Sequence, residues 1–143
     1  MAESAREIDL DPRKYVGLSF PLRADNNNDF ALTKNSVQQS QHNLQNLLLT
    51  QIGERVAQPN FGSRIKEFCF EQNDGELPEK IDVEIKRAVN TWLPYITIVE
   101  TATLTEDGDE NKIHVKIKYS TTLNPESLQT VTVDTTTGGA GNY

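Results

Sequence analysis

The chain has 143 residues, 36% of them hydrophobic, and its 14 basic residues against 21 acidic ones give a net charge of −7. That length makes one domain able to bury a core, while the low apolar content predicts segments that stay loop or arm, or gain burial only in a complex. A net acidic chain has no general attraction to nucleic acid or anionic lipid, and no apolar run approaches the length of a membrane span, so neither partner class is expected.

Residues 1–14 are polar and charged and carry no apolar signal region, which predicts an extended arm on a protein made and folded in the cytosol. Val16, Leu18, Phe20 and Leu22 then alternate with smaller or polar residues, the period of a strand with one apolar face. Pro21 cannot donate to a ladder, so this segment belongs at an edge. Asn26-Asn27-Asn28-Asp29 is a loop. A first helix starts near Ser36, where Ser36 and Gln39 fit a capping box. Its stripe is Val37, Leu44, Leu48 and Ile52, with Leu47 beside it, and Gly53 is the expected stop. A short helix from Ser63 turns Ile65, Phe68 and Cys69 inward; Cys69, the single cysteine, reads as a small buried hydrophobe and cannot form an internal disulfide. After a turn at Gln72-Asn73-Asp74-Gly75, a third helix opens at Pro78 and carries a stripe of Ile81, Ile85, Ala88 and Trp92, with Val89 on its border, until Pro94 ends it.

The remainder is β. Tyr95 to Leu104 is rich in Ile, Val and Thr, and Glu106 to Asn111 is a polar turn. Ile113, Val115, Ile117 and Tyr119 alternate with His114, Lys116, Lys118 and Ser120, so this strand has one wet face and pairs with its predecessor as a hairpin. Asn124-Pro125 makes another turn, and Leu128 to Val133 is a last strand. The fold class is α+β, with three helices packed on one face of a small antiparallel meander and an extended N-terminal arm. The division is 1–32 as arm with an edge strand, 33–134 as the folded domain, and 135–143 as a flexible Thr/Gly-rich tail.

The most informative stretch is the loop Gly53-Glu54-Arg55 through Pro59-Asn60-Phe61-Gly62-Ser63, followed by the short helix ending in Phe70-Glu71. This ordered string resembles the baseplate wedge or sheath-initiator family of contractile phage tails, which has a relative in the type VI secretion baseplate. The resemblance extends over about residues 33 to 134. It implies a structural subunit, not an enzyme, that sits in the virion's tail baseplate and is assembled in the host cytoplasm, with no cofactor. The implied partners are the tail sheath protein, neighbouring wedge proteins and the tail tube, with several copies in a sixfold ring. Wedge docking would fall to Glu54, Arg55, Pro59, Phe61, Trp92, Pro94 and Tyr95. The family carries Glu-Pro-Arg after its third helix, whereas this chain has Leu93-Pro94-Tyr95; Tyr cannot copy an Arg fork, so either docking here is apolar and aromatic or the partner surface has changed, with Glu54 and Arg55 left to supply polar anchoring. Sheath strands would add to the meander by β-augmentation, with Val115, Ile117, Tyr119, Val131 and Val133 as the strand-exchange residues.

The alternatives are a type VI secretion baseplate component and a lysozyme-like glycan hydrolase. A glycosidase needs two carboxylates flanking a cleft, one with a raised pKa. Glu54, Glu71, Asp74, Glu76, Glu79, Asp82, Glu84 and Glu100 are available, but their positions on turns and a wet helix face mark none as buried. His42 and His114 are the only histidines and lack partners at metal-ligand spacing, so no catalytic residue and no metal site are predicted.

Overall fold

The computed structural model describes residues 9–11, 13–71, 75–104 and 113–135. Two short strands, β1 (Gly17–Leu18) and β2 (Leu32–Thr33), pair antiparallel as a small ribbon. Three helices follow: α1 (Ser36–Leu49), α2 (Ile65–Phe68) and α3 (Leu77–Trp92). The chain closes with β3 (Ile96–Leu104), β4 (His114–Thr121) and β5 (Asn124–Asp134), an antiparallel meander in sequence order with β4 in the centre. The fold class is the α+β arrangement expected from the sequence, with the N-terminal strand finding a partner strand instead of standing alone. The tip of the first hairpin and the residues beyond Thr135 lie outside the described residues.

One core holds these elements together. Leu44, Leu47 and Leu48 from α1 meet Ile65 from α2 and Ile81, Ile85, Ala88 and Val89 from α3, over a floor of Val115, Ile117, Tyr119, Val131 and Val133. The 3.6-residue spacing of the helical set and the two-residue spacing of the strand set place each on a single face. Helix α3 lies against β3 and α1 against β5, with the two helices in contact. The opposite face of the sheet carries exposed Lys116, Thr130 and Thr132.

Several local expectations are corrected. Helix α1 is capped by Asn35, whose side chain accepts from the Val37 N–H, and not by a Ser36–Gln39 box. Gln39 is engaged elsewhere, with Thr33 and Asn43. The helix ends at Leu49, before Gly53, because the Thr50 side chain bonds back to the Asn46 carbonyl and Ser63 N–H takes the Thr50 carbonyl at 2.9 Å. Asn124-Pro125 is already strand; the turn is Thr122-Leu123, and β5 shifts register to reach it. The alternating segment Val16–Leu22 is strand only at Gly17–Leu18. Within the N-terminal arm, Asp9 is tied down: it accepts from the Ser36 backbone N–H at 2.9 Å and from the Ser36 hydroxyl.

Candidate assembly surface

The loop between α1 and α2 is built from its neck outward. Gln51 and Ser63 form a parallel bridge, the Ser63 hydroxyl donates to the Leu48 carbonyl at 2.7 Å, and Gly53 N–H donates to the Pro59 carbonyl at 2.7 Å. Gly53 has φ +93° and Gly62 φ +126°, conformations that favour glycine. At Gly62 a Cβ would collide with the Thr50 carbonyl, so this residue also permits the close approach of the two ends. Beyond the neck the loop projects, and Val56 at its tip is fully exposed.

A column of side chains braces it. The Arg55 guanidinium lies 3.8 Å from the centre of the Phe61 ring, a cation–π geometry. Phe61 meets Trp92 edge to face, with centroids 5.2 Å apart. Because Trp92 ends α3, the loop is pinned to the C-terminal end of that helix. Glu54 does not pair with Arg55; its carboxylate accepts from the Gln51 N–H at 2.9 Å and closes the turn after α1. Pro94 and Tyr95 form the turn from α3 into β3. The Tyr95 hydroxyl accepts from Asn43 of α1 at 2.9 Å, and its carbonyl takes the Thr122 N–H. Of the seven docking candidates, then, Arg55 touches Phe61 and Phe61 touches Trp92, Glu54 and Pro59 shape the loop, and Pro94 and Tyr95 lie on the adjoining turn.

The five strand-exchange candidates stand differently. Val115, Ile117, Tyr119, Val131 and Val133 are all within the core, so their side chains are unavailable to a partner in the folded chain. Strand β4 is flanked on both sides, which leaves the outer edges of β3 and β5 as the places where backbone could pair.

One of the acids that the sequence placed on turns or a wet helix face is in fact buried. Glu84, on α3, is only 9% exposed. Burial alone would raise its pKa, but the hydrogen bonds from Arg87 and from the Arg64 N–H, with the charges of both arginines, prevail and hold it below the usual carboxylate range. Arg87 reaches it through two nitrogens, at 2.9 and 2.7 Å, and the Arg64 N–H at 3.0 Å. The only sequence signal was its place between Ile81 and Ile85, at the border of the apolar stripe. Glu84 lies at the wall of a cleft of about 660 Å³ between α2 and α3, shared with Glu67, Glu71, Glu76 and Glu79. His42 is lowered by burial, and His114 Nδ1 pairs with Asp134 at 2.5 Å across β4 and β5. Among the described residues, no group of three His, Cys, Asp or Glu side chains could hold a metal ion. No helix among them is long and apolar enough to cross a membrane.

A projecting, braced loop on a compact α+β body defines a protein shaped for assembly contacts. The family model for baseplate wedge protein gp25 matches residues 34–126, and the chain belongs to that family. It is thus a structural component of the tail baseplate of a contractile injection particle. Curated proteins offer no match. Among solved structures, the baseplate of the anti-feeding prophage contains a chain that is similar at 21% identity and TM-score 0.65, covering 73% of this chain and 83% of that one. A proposed tail lysozyme of Geobacter sulfurreducens is similar at 20% identity and TM-score 0.64, covering 73% and 93%. The type VI secretion baseplate complex supplies a third, at 15% identity and TM-score 0.53, covering 69% and 91%. At such identities the likeness is one of fold.

Proposed function

We propose that this chain is the subunit on which the tail sheath begins. It docks on neighbouring wedge proteins through the loop at 53–62 and the turn at Pro94-Tyr95, as several copies in a sixfold ring around the tail tube. The observation that carries this reading is the Arg55–Phe61–Trp92 column, which anchors a loop with an exposed tip to the edge of the core. Preorganising a projecting surface reduces the ordering cost of binding. Sheath strands would add to an outer edge of the meander, on β5 or β3, by backbone pairing. The buried valines and isoleucine then act from beneath, by keeping the edge straight and in register.

The test is quantitative mass spectrometry of isolated baseplates stripped of sheath and tube. The chain is expected in an amount that matches the ring symmetry. Absence from baseplates, or trace amounts only, would sink the reading. In the same particles, Arg55→Glu with Val56→Asp is expected to lower incorporation about tenfold or more, equivalent to ~1.4 kcal/mol of docking energy.

The glycan-hydrolase reading has in its favour the description of one structural relative. Glu84 does not suit it. A general acid must hold its proton near working pH, and Glu84 is kept ionised by Arg87. Glu71→Gln and Glu79→Gln separate the two readings: both variants are expected to assemble normally, whereas a hydrolase working through either carboxylate would lose its function.

A further inference from the structure

We propose that the outward face of the β1–β2 ribbon docks an apolar segment of a neighbouring baseplate protein, one recognised by surface outside the residues that match the family. The ribbon is amphipathic the wrong way round for an isolated chain. Its inner face is polar: Thr33 is buried, its hydroxyl bonds the Gly17 carbonyl at 3.1 Å, and it meets the Gln39 side chain. Gln39 donates to Asn43 at 2.8 Å, and Asn43 donates to the Tyr95 hydroxyl at 2.9 Å. This network runs from the ribbon across α1 to the turn that adjoins the Trp92 column.

The outer face is apolar. Leu18 and Leu32 are register partners and so share a face, and Val16 and Phe30, two residues from them, are exposed as well. Their exposures are 37% for Val16, 48% for Leu18, 65% for Phe30 and 46% for Leu32. Together they bare on the order of 400 Å², the size of a functional patch on a monomer. The family match begins at residue 34, directly after β2, so the two strands lie outside the matched residues.

The area selects the occupant. Two copies stacked face to face would bury about 800 Å², short of the ~1,200 Å² at which specific interfaces become stable. A face of this size is sufficient when its partner is already held nearby by other contacts, because tethering raises the effective concentration. That is the situation of a baseplate subunit, and the inference rests on that reading. Lipid is disfavoured by the net charge of −7. The charged register position on this face is Lys34, which lies 5.4 Å from the Tyr15 ring centre. The matching segment is therefore apolar along its length, with a carboxylate opposite Lys34.

The experiment places a photo-crosslinking benzoylphenylalanine at Phe30 in the full chain, within assembled baseplates. The expected product joins Phe30 to an apolar stretch of another baseplate protein. Its yield should fall about tenfold when Leu18→Ser and Leu32→Ser are added, with the far-UV circular dichroism of the purified variant unchanged. Lys34→Glu, which leaves the four apolar side chains in place, should lower the yield as well. Cross-links only to a second copy would overturn the proposal, as would an unchanged yield in the serine variant or pelleting of the purified chain with phosphatidylglycerol vesicles. The chain present in baseplates without any Phe30 product would overturn the ribbon's role alone. The chain missing from baseplates would overturn the baseplate reading itself.

Discussion

Trp92 joins two roles in one side chain: it packs against the core and it carries the Phe61 ring that braces the loop. Its Nε1 is buried and, among the described residues, without a hydrogen-bond acceptor. Trp92→Phe should therefore remain within ~1 kcal/mol of the parent, since the ring contact survives and an unsatisfied donor disappears. Trp92→Ala should cost ~3–5 kcal/mol in denaturant unfolding. The two loop glycines differ in kind. Gly53→Ala meets open space and is expected to cost ~1 kcal/mol for its positive φ alone. Gly62→Ala meets the Thr50 backbone as well and should cost clearly more, with the loop neck disturbed. Glu84 links stability to pH. Its folded pKa lies below the unfolded value, so its stabilising contribution is complete above about pH 4.3 and fades as pH falls through the folded value. Glu84→Gln should cost ~1–2 kcal/mol at neutral pH, a modest figure because Arg87 is partly exposed. A stability profile between about pH 5 and 3 checks the sign: the parent should decline more steeply than the variant.

At the scale of elements, the stripes on α1 and α3 and the alternation along β4 were legible because each element buries one face against a single layer. Ends were less so. Helix α1 stops at Leu49 because Thr50 and Ser63 make long-range backbone contacts that local propensity does not encode. Strand β2 was missed because only two residues pair, although Phe30 and Leu32 already alternate with Ala31 and Thr33. The meander also separates stability from recognition. Ile117→Ala, in the central strand, should lower stability by ~2–5 kcal/mol. Lys116→Glu, one residue away on the wet face, should change it by less than about 0.5 kcal/mol. Equal effects on urea midpoints would contradict the assigned faces.

For the molecule as a whole, residues 53 to 71 carried the family resemblance, and the match over residues 34–126 confirms the membership it implied. Composition, charge and apolar periodicity settled the α+β class and the placement of most core residues, because both follow from which side chains avoid water. Tertiary structure decided what those quantities leave open. It buried Glu84 by bringing Arg64 and Arg87 to one carboxylate. It joined Arg55, Phe61 and Trp92, residues from distant parts of the chain, into one column. It withdrew the five strand-exchange side chains into the core and left β3 and β5 as the outer strands of the sheet. It also turned the ribbon's apolar face outward. Alternation states that a strand has an apolar side, but the direction of that side depends on what lies beneath it, and here Gln39 and Asn43 made the polar side the inner one.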